Sequence, residues 1–529
     1  METFDVIVIG SGNNGLTVAN YLSKAGQSVL VLERRLEEGG GLSTEQIFPG
    51  YYFNLHSVFH IFGPETPAYQ DFELDKYGAS YIVPHKNFGI PLRDGRCLLI
   101  YSDREDTYRS LSKFSEKDAR TLVEMERYYE VMRAYHYAPP LPTAEWRDRL
   151  EQRFGALGTE FFDLAQMSPT EVTETLFEDD TVRTSLFFST SAVRMREALP
   201  ATGFGTLRML LRLGRYGLAR GGSNMIAKAL VNFLTAHGGK IRQQSSVERI
   251  LVEQGRAVGV RLEGGAEYRA RKAVVSNVDP GRTFLQMVGE EHLPKEEVER
   301  VKGWRMNESA LFGAHMVLRE PPRYTVAEKY PDMNECFHQT FGYDVPEEML
   351  EHFREIEAGR VPSKPGGEAW VPTLFDRSQG PGGFHTAGFW QFVPYEVDGR
   401  DPEYWNEIKE SYFDRILDRW AEYAPNMTRE NVVHRYSYTP LDNARAIINM
   451  VRGDDHMGTY SGGQVGIGRQ PYRTPLEGLY MTGSCCHPGG SITFAPGYNA
   501  VNVIAEDLKL KRWWPKPKFL EGYGFFEDW

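Results

Sequence analysis

Three stretches of the chain combine short apolar runs with glycine-rich turns and a following helical pattern. In the first, Asp5-Val6-Ile7-Val8-Ile9 runs without polar alternation, which predicts a strand buried on both faces, as in a parallel sheet. Gly10-Ser11-Gly12-Asn13-Asn14-Gly15 follows, then a helical pattern over 16–25 stopped by Gly26, then a second apolar run over 28–32 that ends in Glu33. The second stretch, 220–280, predicts a helix over 225–236, a short strand over 240–242, a turn flanked by Val247 and Ile250, a strand over 258–262 and a buried strand over 273–276. The third opens with a strand and turn over 478–484, passes through a glycine-containing loop over 485–493 and continues as a helix over 495–508, with Pro496 suited to an early helical position. Between these stretches, 96–218 reads as mostly helical. The segment 290–455 carries strands near 310–317 and 388–392, an aromatic group (Tyr395, Trp405, Tyr412, Phe413 and Trp420) and its longest loop at 359–383.

The first stretch is a βαβ unit with G-x-G-x-x-G at its turn. Gly10 permits the tight turn, Gly12 lets backbone approach a pyrophosphate, and Gly15 lets helix pack on strand. The helix start, with Asn13 and Asn14, offers unpaired N–H groups to phosphate. Glu33 lies 18 residues after Gly15, where a carboxylate accepts from ribose hydroxyls and repels a 2′-phosphate; Arg34 follows it. Strand, helix, second strand and acid in register predict dinucleotide binding.

After Glu33, Gly39-Gly40-Gly41-Leu42-Ser43-Thr44 resembles the second motif of two-dinucleotide-binding-domain flavoproteins, E-x5-G-G-R-x-x-[ST], with Gly41 where that motif usually has Arg. Gly483-Ser484 and Cys485-Cys486-His487-Pro488-Gly489-Gly490-Ser491-Ile492-Thr493 resemble the closing motif of phytoene dehydrogenase/desaturase-like flavoproteins, in the branch that includes the pyridine nucleotide-disulfide oxidoreductase domain 2 proteins. Asp454 to Gly458, Gln464 and Arg469 resemble that branch more loosely.

The resemblance implies FAD. Gly40, Gly41, Leu42 and Ser43 would approach the flavin end, and the Val247 backbone the adenine. Gly483, Ser484, Ser491, Ile492 and Thr493 would close on the flavin, with Ser484 where many relatives place a ribityl-binding Asp. The helix behind that loop favours negative charge on reduced flavin. The expected fold is α/β: a Rossmann-like FAD domain, discontinuous over 1–95, 219–289 and 456–510, with an inserted α+β substrate domain over 96–218 and 290–455, and a basic-aromatic tail over 511–529.

The expected activity is that of an FAD-dependent oxidoreductase, a dehydrogenase/desaturase or oxidase, taking hydride from an apolar or aromatic small molecule to flavin N5. Oxygen, a quinone or another redox partner would accept the electrons. A histidine beside the flavin can take the substrate proton, and His56, His60 and His487 are the candidates, each set against an ordinary structural role. A redox-neutral flavin-dependent isomerase and a non-enzymatic lipid/prenyl-binding protein of the same fold are the alternatives; the intact Gly10, Gly12, Gly15, Glu33 and Gly40 weigh against the second. No other complete G-x-G-x-x-G predicts a nicotinamide cofactor.

Composition trims this picture. The 529 residues carry a net charge of −12, which argues against bulk binding of nucleic acid. The four cysteines form neither C-x-x-C nor a disulfide framework, so no metal site is expected, and Cys485 and Cys486 read as buried core residues rather than flavin attachment points. No signal segment or spanning run is visible, giving a cytoplasmic expectation. Lys509, Lys511, Arg512, Lys516 and Lys518 interleave with Trp513, Trp514 and Phe519, a pattern that suits either peripheral contact with an anionic membrane or packing on the body or on a partner in an oligomer.

Overall fold

A computed structural model describes residues 2–191, 200–461 and 463–523. Two seven-stranded sheets organise it. The first sheet runs Val247–Glu253, Arg256–Leu262, Glu267–Ser276, Glu2–Ile9, Val29–Leu32 and Lys240–Arg242, with Leu479–Met481 also paired to Glu267–Ser276. Glu2–Ile9 lies parallel to both Glu267–Ser276 and Val29–Leu32, and Leu479–Met481 is parallel to Glu267–Ser276. Val6 to Val8 and Leu30 to Val31 are fully buried, as expected for strands covered on both faces. Helices Asn13–Lys24, Asn224–Ala236 and Ala495–Asp507 cover this sheet. The α/β, Rossmann-like reading therefore holds.

Two local expectations fail. Val247 and Ile250 do not flank a turn; they lie in the strand Val247–Glu253, antiparallel to Arg256–Leu262. The supposed loop at 359–383 contains the strand Gly367–Trp370, which joins the second sheet.

The second sheet runs Val432–Tyr438, Ser309–Leu318, His385–Pro394, Gly367–Trp370, His338–Phe341, Lys86–Pro91 and Cys97–Tyr101. Lys86–Pro91 therefore pairs outside the first sheet, so residues 86–95 belong structurally with the segments placed after 96. Phe389 and Val393 face the helix Trp405–Ala421 and its buried Trp405, Tyr412, Phe413 and Trp420. Four of the five aromatic residues grouped in this segment thus form the core of this half. The Trp405 indole donates to the Tyr395 carbonyl at 3.1 Å. Helices dominate 104–191 and 203–212.

The tail folds back on the body as far as it is described; its last residues, 524–529, lie outside the described residues. Trp514, Phe519, Leu520 and Tyr523 are at most 3% exposed. The Trp513 indole donates to the Tyr21 carbonyl at 3.0 Å, and that of Trp514 to Asn502 Oδ1 at 3.1 Å. The aromatic side chains Trp514 and Phe519 are occupied in packing while Lys509, Lys511 and Lys518 stay exposed, and no helix among the described residues is long and apolar enough to cross a membrane. Trp514→Ala is expected to lower stability by about 3–5 kcal/mol, read by urea titration; a loss below about 1 kcal/mol would show that the tail does not pack as described.

Candidate active site and cofactor cavity

The parallel strands of the first sheet end in register. Ile9 is level with Leu32 and Ser276, and Ser276 with Met481. Gly10, Glu33, Asn277 and Thr482 consequently emerge along one carboxyl edge, the place where ligands bind in open α/β sheets. The glycine turn fits closely there. Gly10 has φ +89°. A Cβ on Gly15 would sit 2.3 Å from the Gly10 carbonyl oxygen, and one on Gly12 would sit 2.8 Å from Asn277 Nδ2.

A cavity of about 610 Å³ opens on this edge and reaches the second sheet. Gly10, Gly12, Asn13, Asn14, Glu33, Arg34, Gly40, Gly41, His56, Val247, Ser484, Ser491, Ile492 and Thr493 all line it. All three sequence blocks therefore meet at one place. Gly15, Leu42, Ser43 and Gly483 stand just behind this lining: Leu42 is fully buried, Ser43 Oγ lies 3.1 Å from His56 Nδ1, and a Cβ on Gly483 would meet Asn277 Oδ1 at 2.8 Å. His60 points into the body between Tyr81 and Ser223.

The lining fits FAD. The first N–H groups of the helix Asn13–Lys24 have no intrahelical acceptor and open on the cavity beside Gly12. Glu33 accepts from Ser11 N and Oγ on one oxygen, at 2.8 and 2.7 Å, and from Arg35 N on the other, at 2.9 Å. A carboxylate has about four acceptor positions, which leaves one for a ribose hydroxyl. In the closing loop Ser491, Ile492 and Phe494 all have positive φ, at 90°, 52° and 58°. Such backbone costs about 1–3 kcal/mol per residue and concentrates at ligand sites. Cys485 and Cys486 are fully buried and are not part of the lining.

Of the three histidines named as proton acceptors, His60 points away, and the other two part company. His56 lines the cavity; its Nε2 is buried near the Asn443 side chain and completes no well-aligned hydrogen bond among the described residues. Burial first, then the Arg35 guanidinium, push its pKa down to about 4, so it is neutral near pH 7. His487 does not reach the cavity. Its Nε2 donates to the Tyr135 carbonyl at 2.8 Å, and burial holds it down to about 4 as well, so it braces the loop. The histidine of this region that does line the cavity is His456, whose Nδ1 lies 3.1 Å from the Tyr460 hydroxyl. It belongs to the loosely resembling 454–458 segment, a signal present in the sequence without a role attached.

Local patterns give no hint of the far end of the cavity. Phe59, Leu311, Trp390 and Phe392 line it together with Arg212 and Glu368. These come from five different elements or loops, and no local motif joins them.

Comparison with known proteins agrees with this geometry. Residues 15–309 match the family described as flavin containing amine oxidoreductase. A limonene dehydrogenase polypeptide of Castellaniella defragrans is 30% identical over 97% of this chain and 96% of its own. The pyridine nucleotide-disulfide oxidoreductase domain-containing protein 2 of Rattus norvegicus is 30% identical over 96% of this chain and 94% of its own. Among solved structures, an oxidoreductase from Methanosarcina mazei superposes with a TM-score of 0.60 at 19% identity, covering 96% of this chain and all of that one; this supports the fold.

Two outcomes are expected. Gly15→Ala forces the Gly10 carbonyl to move and should weaken FAD binding roughly tenfold or more, measured by the flavin retained per protein. Gly264→Ala, whose Cβ meets nothing within 4 Å, should leave it unchanged. Stability should fall with acid. His56 and His487 are pushed down to about 4, and His60, His315 and His352 to about 3, all chiefly by burial. Their stabilisation is fully present above the unfolded value near 6.5 and is lost as pH falls toward 3–4, on the order of 1–2 kcal/mol per histidine by pH 5. Asp71 and Asp279, raised by burial to about 6, act oppositely but are fewer. The urea midpoint should therefore drop between pH 7 and pH 5; a rise would contradict the assignment.

Proposed function

The chain belongs to the flavin containing amine oxidoreductase family, and on that premise we propose that this FAD-dependent oxidoreductase is a dehydrogenase of an apolar small molecule held against Phe59, Trp390 and Phe392. The observation that carries the reading is the continuity of one cavity, from the glycine turn and Glu33 at the carboxyl edge of the first sheet to this aromatic end at the second.

Bound FAD supplies a two-electron acceptor. The rest is the work of the chain. Gly12, Asn13 and Asn14 take the pyrophosphate, Glu33 and Arg34 the ribose side, and Val247 the adenine. Ser484 and the loop Ser491, Ile492 and Thr493, with Gly40, Gly41, Leu42, Ser43 and Gly483 as support, hold the redox end. The helix Ala495–Asp507 starts behind that loop, and the positive end of its dipole favours negative charge there.

Substrate oxidation releases a proton, and His56 is placed to take it. In the tautomer whose Nδ1–H donates to Ser43 Oγ, Nε2 carries the lone pair of a ring that lines the cavity. The low pKa keeps that lone pair free at neutral pH. The match to the limonene dehydrogenase polypeptide supports an apolar substrate, and the aromatic wall supplies its burial at about 25 cal/mol per Å².

The test is anaerobic mixing of FAD-loaded protein with cyclic terpenes, polyenes, aromatic alcohols and amines. Loss of the oxidised flavin absorbance with an apolar compound is expected, and His56→Gln should slow it by roughly 10²–10⁴-fold while retaining FAD. Bleaching by amines alone would refute the substrate class. Turnover with no net flavin reduction would point to an isomerase instead.

A further inference from the structure

The apolar end of the cavity holds an unfinished set of polar atoms. Glu368 and Trp390 are cross-strand partners in the second sheet, and Arg212 ends the helix Gly203–Arg212. All three line the cavity. Glu368 Oε1, Arg212 Nε and Trp390 Nε1 are buried and complete no well-aligned hydrogen bond among the described residues. Arg212 Nη2 stands 4.0 Å from Glu368 Oε1, and His338 Nε2 stands 3.4 Å from it; these are ion-pair distances, too long or poorly aimed to complete the hydrogen bonds. Side-chain exposure is 8% for Arg212 and 13% for Glu368. Phe59 stacks on His338 at 3.9 Å and shields it.

Burying polar atoms without partners is costly, and native proteins leave few of them. A ligand that brings the missing partners removes that cost. The unmatched set is one strong acceptor facing two donors.

Charge narrows the ligand. Burial pushes the Glu368 carboxyl up, but His338 and Arg212 more than offset this and hold it below its ordinary value, so Glu368 is ionised. Burial pushes the His338 pKa down, and Glu368 opposes this. Arg212 and Glu368 cancel. Arg208, one helical turn before Arg212, is fully buried beside Tyr460 with no acidic partner among the described residues, and it tips the region positive. An ammonium would meet that excess charge, and a carboxylate would meet Glu368. A neutral hydroxyl donates to the acceptor and accepts from a donor at no charge cost.

We infer that this end of the cavity is a hydroxyl-reading subsite, and that the substrate is an apolar alcohol whose O–H donates to Glu368 Oε1 and whose oxygen accepts from Trp390 Nε1–H, with Arg212 Nε–H as a second donor. The inference rests on the placement of the substrate at the aromatic end proposed above.

The experiment titrates FAD-loaded protein with methylcyclohexane, cyclohexylmethanol, cyclohexylmethylamine and cyclohexanecarboxylate. Calorimetry and the shift of the flavin's visible bands are the readouts, so turnover is not required. The alcohol should bind about tenfold or more tightly than each of the other three. Trp390→Phe should cut that preference several-fold, and Glu368→Leu should abolish it, with FAD content reporting that each variant is folded. Should Glu368→Leu not retain FAD, the Trp390→Phe result decides alone. Equal or tighter binding of the hydrocarbon or the amine, or an unchanged preference in Trp390→Phe, overturns the subsite. Flavin bleaching by hydrocarbons with no preference for alcohols would overturn it too while leaving the dehydrogenase reading intact.

Discussion

The cavity exists because backbone meets backbone where two helices converge on one sheet edge. The helix Asn13–Lys24 enters from the first strand, and Gly15 carries no Cβ where one would strike the Gly10 carbonyl. The helix Ala495–Asp507 arrives from the far end of the sequence and crosses the first at Gly497, where a Cβ would lie 2.6 Å from the Asn14 carbonyl oxygen and 2.7 Å from Thr17 Cβ. The Gly497 N–H donates to Asn14 Oδ1 at 3.3 Å, so the approach is also a polar contact. Segments 483 residues apart in sequence are thus held as the two walls of one binding site.

That half of the site was legible because its rules are local. Tight turn, buried parallel strand and terminal acid each leave a short pattern in the sequence, and the strand registers then align them. The substrate half follows no such rule. Glu368 faces Trp390 only through an antiparallel register, and Arg212 joins them from the end of a helix. The strand Gly367–Trp370 was hidden by its own glycines. A Cβ on Gly367 would lie 2.0 Å from the Trp390 carbonyl oxygen, so the residue that reads as a loop-former permits close strand approach. His487 and His456 show the same limit. Both sit in segments marked by resemblance, but which one faces the cavity depends on how Tyr135 and Tyr460 pack around them.

The two faces of the second sheet show what an interior needs and what a site leaves open. Along His385–Pro394, Phe389, Gln391 and Val393 face the aromatic core, while Trp390 and Phe392 face the other way toward the cavity. On the core face, the polar tips of the large aromatic residues are matched. The Tyr412 hydroxyl donates to Gln391 Oε1, the Trp420 indole donates to the Tyr324 hydroxyl at 3.1 Å, and that hydroxyl donates to Gln339 Oε1 at 2.5 Å. On the cavity face, one residue along, Trp390 Nε1 and Glu368 Oε1 complete no well-aligned hydrogen bond among the described residues.

Stability alone does not account for that difference. A buried ion pair with incomplete hydrogen bonds is often no better for folding than an apolar pair of the same volume, and the core face shows that this sheet accommodates aromatic residues whose polar tips are satisfied. The polar atoms on the cavity face lie where the aromatic wall is otherwise suited to a hydrocarbon. Apolar area supplies most of the attraction, but it discriminates poorly between ligands of similar size. Discrimination comes from the few groups that lose hydrogen bonds when the wrong ligand enters, and Glu368, Arg212 and Trp390 are the groups in that position.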